Sequence, residues 1–115
     1  MTQVRILAGL FFKMRMWNVD VKKMCNKHLL GEHVEMHMCV GGLDRGKSIK
    51  GFVERGLMEV HNVSKRHDKL AKEMKRRGMN HKSPLRFKGF KAGKVDVARS
   101  EKELMKRCSE CRKNF

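Results

Sequence analysis

The sequence contains no tyrosine, one tryptophan and one proline among its 115 residues. β-Sandwiches are usually rich in aromatic and β-branched residues, so this composition disfavours one. Ten methionines and six phenylalanines supply much of the apolar content instead. Because methionine fills irregular gaps in a core, we expect a helical fold with a modest core in a chain of this length.

Acidic residues are also scarce, with 12 Asp and Glu against 28 Lys and Arg, for a formal net charge of +16. A charge this large repels itself and indicates a polyanionic partner. Nucleic acid is the first candidate. An anionic membrane is the second, but basic and apolar residues are not segregated on one amphipathic surface helix.

Long apolar segments are missing as well. The apolar run from Ile6 to Phe12 is far too short to cross a bilayer, and no small-residue cleavage site follows it. Four cysteines without a secretory signal indicate a reducing compartment, where thiols stay free or bind metal. We therefore expect a cytoplasmic monomer without membrane association.

The pattern predicts an all-α fold, a small single domain of three to four helices with basic loops. We assign residues 1–13 to an N-terminal extension and residues 14–85 to the helical domain. Residues 86–115 form a basic C-terminal tail that packs on the same domain.

The first long helix is expected to begin after Asn18 or Asp20 and to run towards Val40, because both side chains are good N-caps. The Gly-rich segment Gly41 to Gly51 then predicts a loop. The letters "IKGFVERG" predict a short helix that Gly56 closes.

Two further helices follow. "NVSKRHDKLAKEMKRRG" predicts one that Asn62 or Ser64 caps and that ends before Gly78, with an inward face of regularly spaced side chains: Val63, His67, Leu70 and Met74. Ser100 and Glu103 form a capping box that predicts the start of the last helix.

The first helix carries the candidate chemistry, in the stretch "CNKHLLGEHVEMHMC". At 100° per residue, its reactive side chains share an arc of about 80° on the inward face: Cys25, His28, Glu32, Glu35 and Cys39. Two carboxylates one turn apart beside a histidine suit acid–base chemistry, and burial and like charge should raise the pKa of at least one. The alternative is that these groups only pair with the surplus Lys and Arg.

A known family shares this arrangement. "MRMWNVDVKKMCNKHLLGEHVEMH" resembles the opening of the phage pyrimidine-dimer DNA glycosylases of the endonuclease V type, which have a His-Leu pair, a Glu and a second Glu three residues later. Here these are His28, Leu29, Glu32 and Glu35. A second match is the ending of a long helix, "LAKEMKRRGMN", from Leu70 through Glu73, Arg77 and Gly78 to Asn80. The resemblance extends from residue 14 to residue 85.

The resemblance implies an all-helical, metal-free DNA-repair glycosylase with abasic-site lyase activity, located in the host cytoplasm if a phage encodes it. Such an enzyme kinks damaged duplex DNA, flips out a base and attacks the sugar C1′ with an N-terminal α-amine to form a Schiff base. Glu35 matches the catalytic carboxylate, with Glu32 and His28 in support, and Arg15 matches an arginine that contacts DNA. An α-amine titrates near pH 8, so it is partly neutral and nucleophilic at physiological pH.

The sequence departs from the family at the nucleophile. The family uses the amine of a Thr exposed by removal of Met, whereas the aligned position here is Met14, inside the chain. Either translation starts at Met14 and its amine reacts, or Met1 is removed and Thr2 folds back over the site. In the third case the amine is absent and the protein only binds DNA. Val34 and Met38 also replace two family arginines.

A possible metal site lies outside this resemblance. Cys108 and Cys111 form a CxxC, which is half of a zinc site. Cys25 and His28, spaced as CxxH, would complete a Cys₃His set. The alternative is two ordinary thiols on a terminal helix. We expect no cofactor to be required for catalysis, and any zinc would be structural.

Basic loops are the predicted duplex-DNA contacts. The residues concerned are Arg45, Lys47 and Lys50 in the Gly-rich loop and Arg86, Lys88 and Lys91 in the later loop. Phe87 and Phe90 are interleaved with the latter, to stack at an opened base or to anchor the loop to the core. His61, His67 and His81 appear scattered, without diagnostic spacing.

Two other functional classes compete with the glycosylase. One is a non-catalytic basic nucleic-acid-binding module on the same scaffold, with or without a structural zinc ion. The other is a nuclease in which Glu32 and Glu35 hold a divalent ion. The sequence favours the glycosylase because two family motifs occur in order on a basic, helical chain.

Overall fold

The computed structural model describes residues 14–81 and 83–115, so the predicted extension and Thr2 lie outside it. Within these residues the chain forms helices and no strand, which confirms the all-α prediction. The α-helices are α1 (Asn26–Asp44), α2 (Lys50–Glu54), α3 (Val63–Arg76), α4 (Val97–Arg107) and α5 (Ser109–Arg112). Two 3₁₀ turns, Val21–Lys23 and Val60–Asn62, precede α1 and α3.

The centre of the fold is the pair formed by α1 and α3, which pack along each other. Leu29 and Met36 of α1 are buried in the core together with Leu70 and Met74 of α3. The predicted inward face of α3 is confirmed, since all four of its side chains are buried. No described helix has the length and apolarity that crossing a membrane would need.

The first helix begins later than the sequence predicted. Asp20 caps only the 3₁₀ turn, where its carboxylate accepts a hydrogen bond from the Lys22 amide, and Asn18 has a positive φ of 59°. Tertiary contacts explain the difference, because the Cys25 amide donates to Cys111 Sγ and so does not continue a helix from Val21. The chain therefore turns into a helix only at Asn26.

The same helix ends later than expected, at Asp44, so the first residues of the predicted Gly-rich loop are helical. The short helix α2 is confirmed, and Gly56 follows it with a φ of 70°. α4 begins at Val97, where the Asp96 carboxylate accepts a hydrogen bond from the Arg99 amide. The predicted start at Ser100 was wrong, because Ser100 is buried inside the helix.

The C-terminal part of the chain shares the hydrophobic core of the preceding residues. Val95, Leu104 and Cys111 are buried in it. The Ser100 hydroxyl donates a hydrogen bond to the Trp17 carbonyl, which joins α4 to the extended segment before α1. These contacts position the N-terminal segment of the described chain between α1 and α4.

Candidate functional site

Glu32 is fully buried between α1 and α3. Arg66 of α3 binds both of its carboxylate oxygens, through Nε to Oε2 and through Nη2 to Oε1 at 3.0 Å. Arg66 also donates to the Val19 carbonyl at 2.7 Å. Burial raises the pKa of Glu32, whereas Arg66 and the amides of Asn18 and Trp17 favour the carboxylate. Glu32 therefore ties α1 to α3 and to the extended segment.

Glu35 lies one turn further along α1 and is half-buried. Burial raises the pKa of Glu35 to about 8, and the neighbouring Glu32 adds to the increase. The guanidinium and backbone N–H of Arg15 act in the opposite direction. This agrees with the expectation that one carboxylate of the pair has a raised pKa. The contact with the Arg15 N–H places Glu35 beside the amide that directly follows Met14.

Arg15 is held by its neighbours. Its guanidinium carbon lies 3.9 Å from the centre of the Trp17 ring, and Nη2 pairs with the Glu103 carboxylate at 2.8 Å. Nε of Arg15 is buried without a hydrogen-bond partner among residues 14–81 and 83–115. Met14 is buried beside it. The predicted DNA contact of Arg15 would therefore require its release from Glu103.

The four predicted metal ligands lie together, in what we call the thiol cluster: Cys25, His28, Cys108 and Cys111. Cys25 Sγ lies 3.8 Å from Cys108 Sγ and 3.3 Å from His28 Nδ1, which lies 3.6 Å from Cys111 Sγ. A tetrahedral zinc site has edges of about 3.8 Å between sulfurs and about 3.6 Å between sulfur and nitrogen. The residues therefore fit a structural zinc ion.

A second set of potential ligands, the histidine cluster, consists of His33 and His37 of α1, His67 of α3 and His81 of the following loop. In five of its ring pairs the ring centres are 4.8 to 5.2 Å apart. The view of His67 and His81 as scattered was wrong. The sequence did contain one signal, because histidines four residues apart share a helix face.

Burial in this cluster favours neutral rings. It lowers the pKa of His33 to about 4, with help from the nearby His67, His37 and His81. Burial and His67 also lower the pKa of His37 and of His81. At neutral pH the rings of His33, His37 and His81 therefore keep a nitrogen lone pair.

The basic-loop side chains predicted to contact DNA are exposed: Arg45, Lys47, Lys50, Arg86, Lys88 and Lys91. Lys50 is the first residue of α2 and not a loop residue. Lys50 is near Glu54, at 3.7 Å. The interleaved phenylalanines differ, since Phe87 packs against the core while the Phe90 side chain is 56% exposed. Phe87 thus anchors the loop, and Phe90 remains accessible to a base.

Sequence reasoning missed Arg66, the partner of Glu32. It also missed that Glu73 of α3, within the second family motif, is buried and pairs with Arg76 and Arg77. Arg77 in turn donates to the Val21 carbonyl and so holds the 3₁₀ turn before α1. The second motif therefore stabilises the segment that leads into the helix bearing Glu35.

Comparison with known proteins identifies a family for this chain. The sequence model of the pyrimidine dimer DNA glycosylase family matches residues 14–87, which is more than half of the chain. Neither curated proteins nor solved structures give a significant match. The match includes Glu32, Glu35 and Arg66 and ends before α4. The chain belongs to the pyrimidine dimer DNA glycosylase family.

Proposed function

We propose that this protein removes damaged pyrimidines from duplex DNA and cleaves the resulting abasic site through a Schiff base, with Glu35 as the catalytic carboxylate. The observation that carries the proposal is the position of Glu35 beside the Arg15 amide, one residue after Met14. The family match covers both residues. An α-amine on a chain that begins at Met14 would therefore lie next to Glu35.

The chemistry follows from this juxtaposition. The neutral α-amine attacks the sugar C1′, and the glycosidic bond breaks as the base leaves with the electron pair. With its pKa raised to about 8, Glu35 is largely protonated at pH 7 and can give its proton to the departing base. The C1′–O4′ bond of the sugar then breaks, and O4′ takes one of the two protons on the attached nitrogen. The product is an open-chain iminium ion, whose positive charge stabilises the Glu35 carboxylate.

The same carboxylate completes the lyase reaction. It removes a proton from C2′ of the iminium sugar, and the 3′ phosphate leaves with the electrons of its C–O bond. Glu32 acts as a positioning residue, because its ion pair with Arg66 holds α1 against α3. A catalytic role of His28 stays a prediction, and its position among three thiols favours a ligand role.

In this proposal the basic loops bind duplex DNA. Their exposed cations can contact phosphates, which provides affinity without reading sequence. Phe90 is the exposed aromatic side chain nearest to these cations in the chain, and it can stack where a base has been extruded. Extrusion costs least at a damaged base, which contributes to selectivity.

A structural zinc ion in the thiol cluster is part of the same proposal. The distances from Cys25 Sγ to Cys108 Sγ and to His28 Nδ1 lie within about 0.3 Å of the edges of a zinc tetrahedron, and Cys111 supplies the fourth ligand. Four protein ligands leave no open position, so the ion would be structural. It would connect α5 to the start of α1.

Borohydride trapping on duplex DNA tests the catalytic proposal, first with one abasic site and then with one cyclobutane dimer. Chains that begin at Met1 and at Met14 are compared, with circular dichroism to verify folding. We expect a covalent adduct that maps to an N-terminal α-amine. Glu35→Gln should abolish strand cleavage and keep DNA binding, whereas Glu54→Gln, an exposed control, should retain both.

The alternatives give different results. No adduct from either chain, with salt-sensitive DNA binding retained, would leave a non-catalytic basic binding module. Cleavage without an adduct that requires added Mg²⁺ would indicate a nuclease that uses Glu32 and Glu35.

A further inference from the structure

The histidine cluster joins three parts of the chain. His33 and His37 lie on α1, His67 on α3, and His81 in the loop that follows α3. Each ring offers one nitrogen, Nδ1 or Nε2, as a ligand atom, and these four nitrogens all lie within 4.8 Å of one another. The cluster lies on a different face of α1 from the thiol cluster, because His33 and His37 are rotated by about 140° or more from His28.

Hydrogen bonds alone do not satisfy these rings. His81 Nε2 faces His33 Nε2 at 2.9 Å and His67 Nε2 at 3.4 Å. A neutral ring nitrogen either carries one proton or accepts one, so His81 Nε2 cannot donate to both neighbours. His37 Nε2 is buried without a well-formed hydrogen bond in the described part of the chain. The Ser83 carbonyl interacts with the rings of His37, His67 and His81, and its two lone pairs cannot satisfy all three. An unsatisfied buried group costs about 1–3 kcal/mol.

We propose that the histidine cluster binds a divalent transition-metal ion through its four imidazoles. Imidazole is a preferred ligand of zinc, copper and nickel ions. A tetrahedral zinc ion with four nitrogen ligands has edges of about 3.4 Å. The His67–His81 distance already has this value, and the 2.9 Å between His33 and His81 requires about 0.5 Å of ring movement.

Asp68 supports a metal-binding orientation of His67. Its carboxylate lies 3.0 Å from His67 Nδ1, so Nδ1–H can donate to it and Nε2 is left as the ligand atom. A carboxylate behind a ligating histidine is the usual arrangement at zinc sites. The competing interaction is with the Ser83 carbonyl, 3.1 Å from His67 Nε2. Metal binding would replace that hydrogen bond.

The consequence for the protein is mechanical. Four protein ligands close the coordination sphere, so the ion would be structural. It would attach the loop after α3 to the α1–α3 pair, and this loop leads directly to Arg86 and Phe87. The inference does not depend on glycosylase activity, because it concerns ligands that no catalytic step uses.

Metal titration of the untagged, metal-stripped full-length chain tests this site. Co²⁺ serves as the optical probe, because thiolate ligands give it an intense near-ultraviolet charge-transfer band that imidazoles lack. Zn²⁺ stoichiometry is measured by atomic emission after desalting. We expect two equivalents of metal, one with the thiolate band and one without it. A single equivalent carrying the full thiolate band would overturn the proposal.

Substitutions identify the residues that bind the second equivalent of metal. His81→Ala should lower its affinity at least tenfold and leave the thiolate band intact. The matched control is His61→Ala, since His61 is the one histidine that belongs to neither cluster, and it should retain both equivalents. Cys108→Ser should remove the thiolate band and keep the imidazole-bound metal. The variants therefore test the two metal sites independently of each other.

A milder variant covers the case in which His81→Ala does not fold. Asp68 is 73% exposed at its side chain, so Asp68→Asn should fold normally. We expect it to weaken binding of the second equivalent by about 10–100-fold. A second equivalent whose affinity neither variant changes would bind elsewhere, and the proposal would be wrong.

Discussion

Glu32 and Arg66 face each other across the α1–α3 interface, with two N–H groups of the guanidinium directed at the two carboxylate oxygens. Both side chains are almost completely buried. Such a pair gains little over an apolar pair of the same size, but either partner alone is a buried, uncompensated charge or donor.

A single substitution in this pair should therefore strongly destabilise the fold. Glu32→Met and Arg66→Met should each lower the free energy of unfolding by about 3–5 kcal/mol, and the double variant should lose less than the sum. Urea unfolding measures all three. Glu54→Gln, which removes the exposed partner of Lys50, serves as the control and should change stability by less than about 1 kcal/mol. Additive losses would contradict the coupling.

The raised pKa of Glu35 predicts a pH dependence of stability. The folded state holds a proton on Glu35 up to a pKa of about 8, whereas the unfolded chain loses it near 4.5. Folding therefore takes up a proton in this window, and the contribution of Glu35 to stability falls as the pH rises from 4.5 to 8. The full shift corresponds to at most about 5 kcal/mol.

Glu35→Gln should remove this dependence. We expect the variant to gain stability relative to the unsubstituted chain at pH 9 and to show little gain at pH 4, as measured by urea unfolding at both values. Glu101→Gln, on α4, provides the matched control. An equal pH dependence in the unsubstituted and Glu35→Gln chains would show that Glu35 titrates normally.

Gly93 permits a close backbone approach. It has a φ of 88°, and a Cβ built there would lie 2.0 Å from the Met58 carbonyl oxygen. Gly93→Ala should therefore cost about 2–5 kcal/mol, the sum of the left-handed backbone penalty and the overlap. Gly78 has a φ of 81° with nothing within 4 Å of its Cβ position, so Gly78→Ala should cost only about 1–2 kcal/mol. Thermal unfolding of both variants compares them.

DNA affinity should depend on salt through the later basic loop. Each phosphate contact contributes about 0.9 to the slope of log K against log salt concentration on duplex DNA. Lys88→Ala with Lys91→Ala should therefore reduce the slope by up to about 1.8. The double variant of Lys102 and Lys106, exposed on α4, is the control for net charge. Equal slopes in the two double variants would place the DNA contacts elsewhere.

Features that depend on spacing within one segment could be predicted from the sequence. The 3.6-residue period of α3 predicted its buried face, and the arc on α1 predicted that both glutamates point inward. The thiol cluster was also foreseeable, because CxxH and CxxC are each a recognisable half of a zinc site. In each case spacing along a single segment carries the information.

Features that depend on packing between distant segments could not be predicted in this way. Nothing local marks Arg66 as the partner of Glu32, because it is one of many cations on α3. The delayed start of α1 follows from the hydrogen bond of the Cys25 amide to Cys111, which lies 86 residues further along the chain. The histidine cluster needs α1, α3 and the following loop to meet, and only the first two of its histidines share a helix face.

Trp17 offers a practical consequence of the way its neighbours are arranged. The Arg15 guanidinium covers one face of the indole, and the His28 ring meets it edge-on with 5.9 Å between ring centres. As the sole tryptophan of the chain, it dominates the intrinsic fluorescence. Its emission can therefore report, without any label, both the release of Arg15 from Glu103 and the occupancy of the thiol cluster.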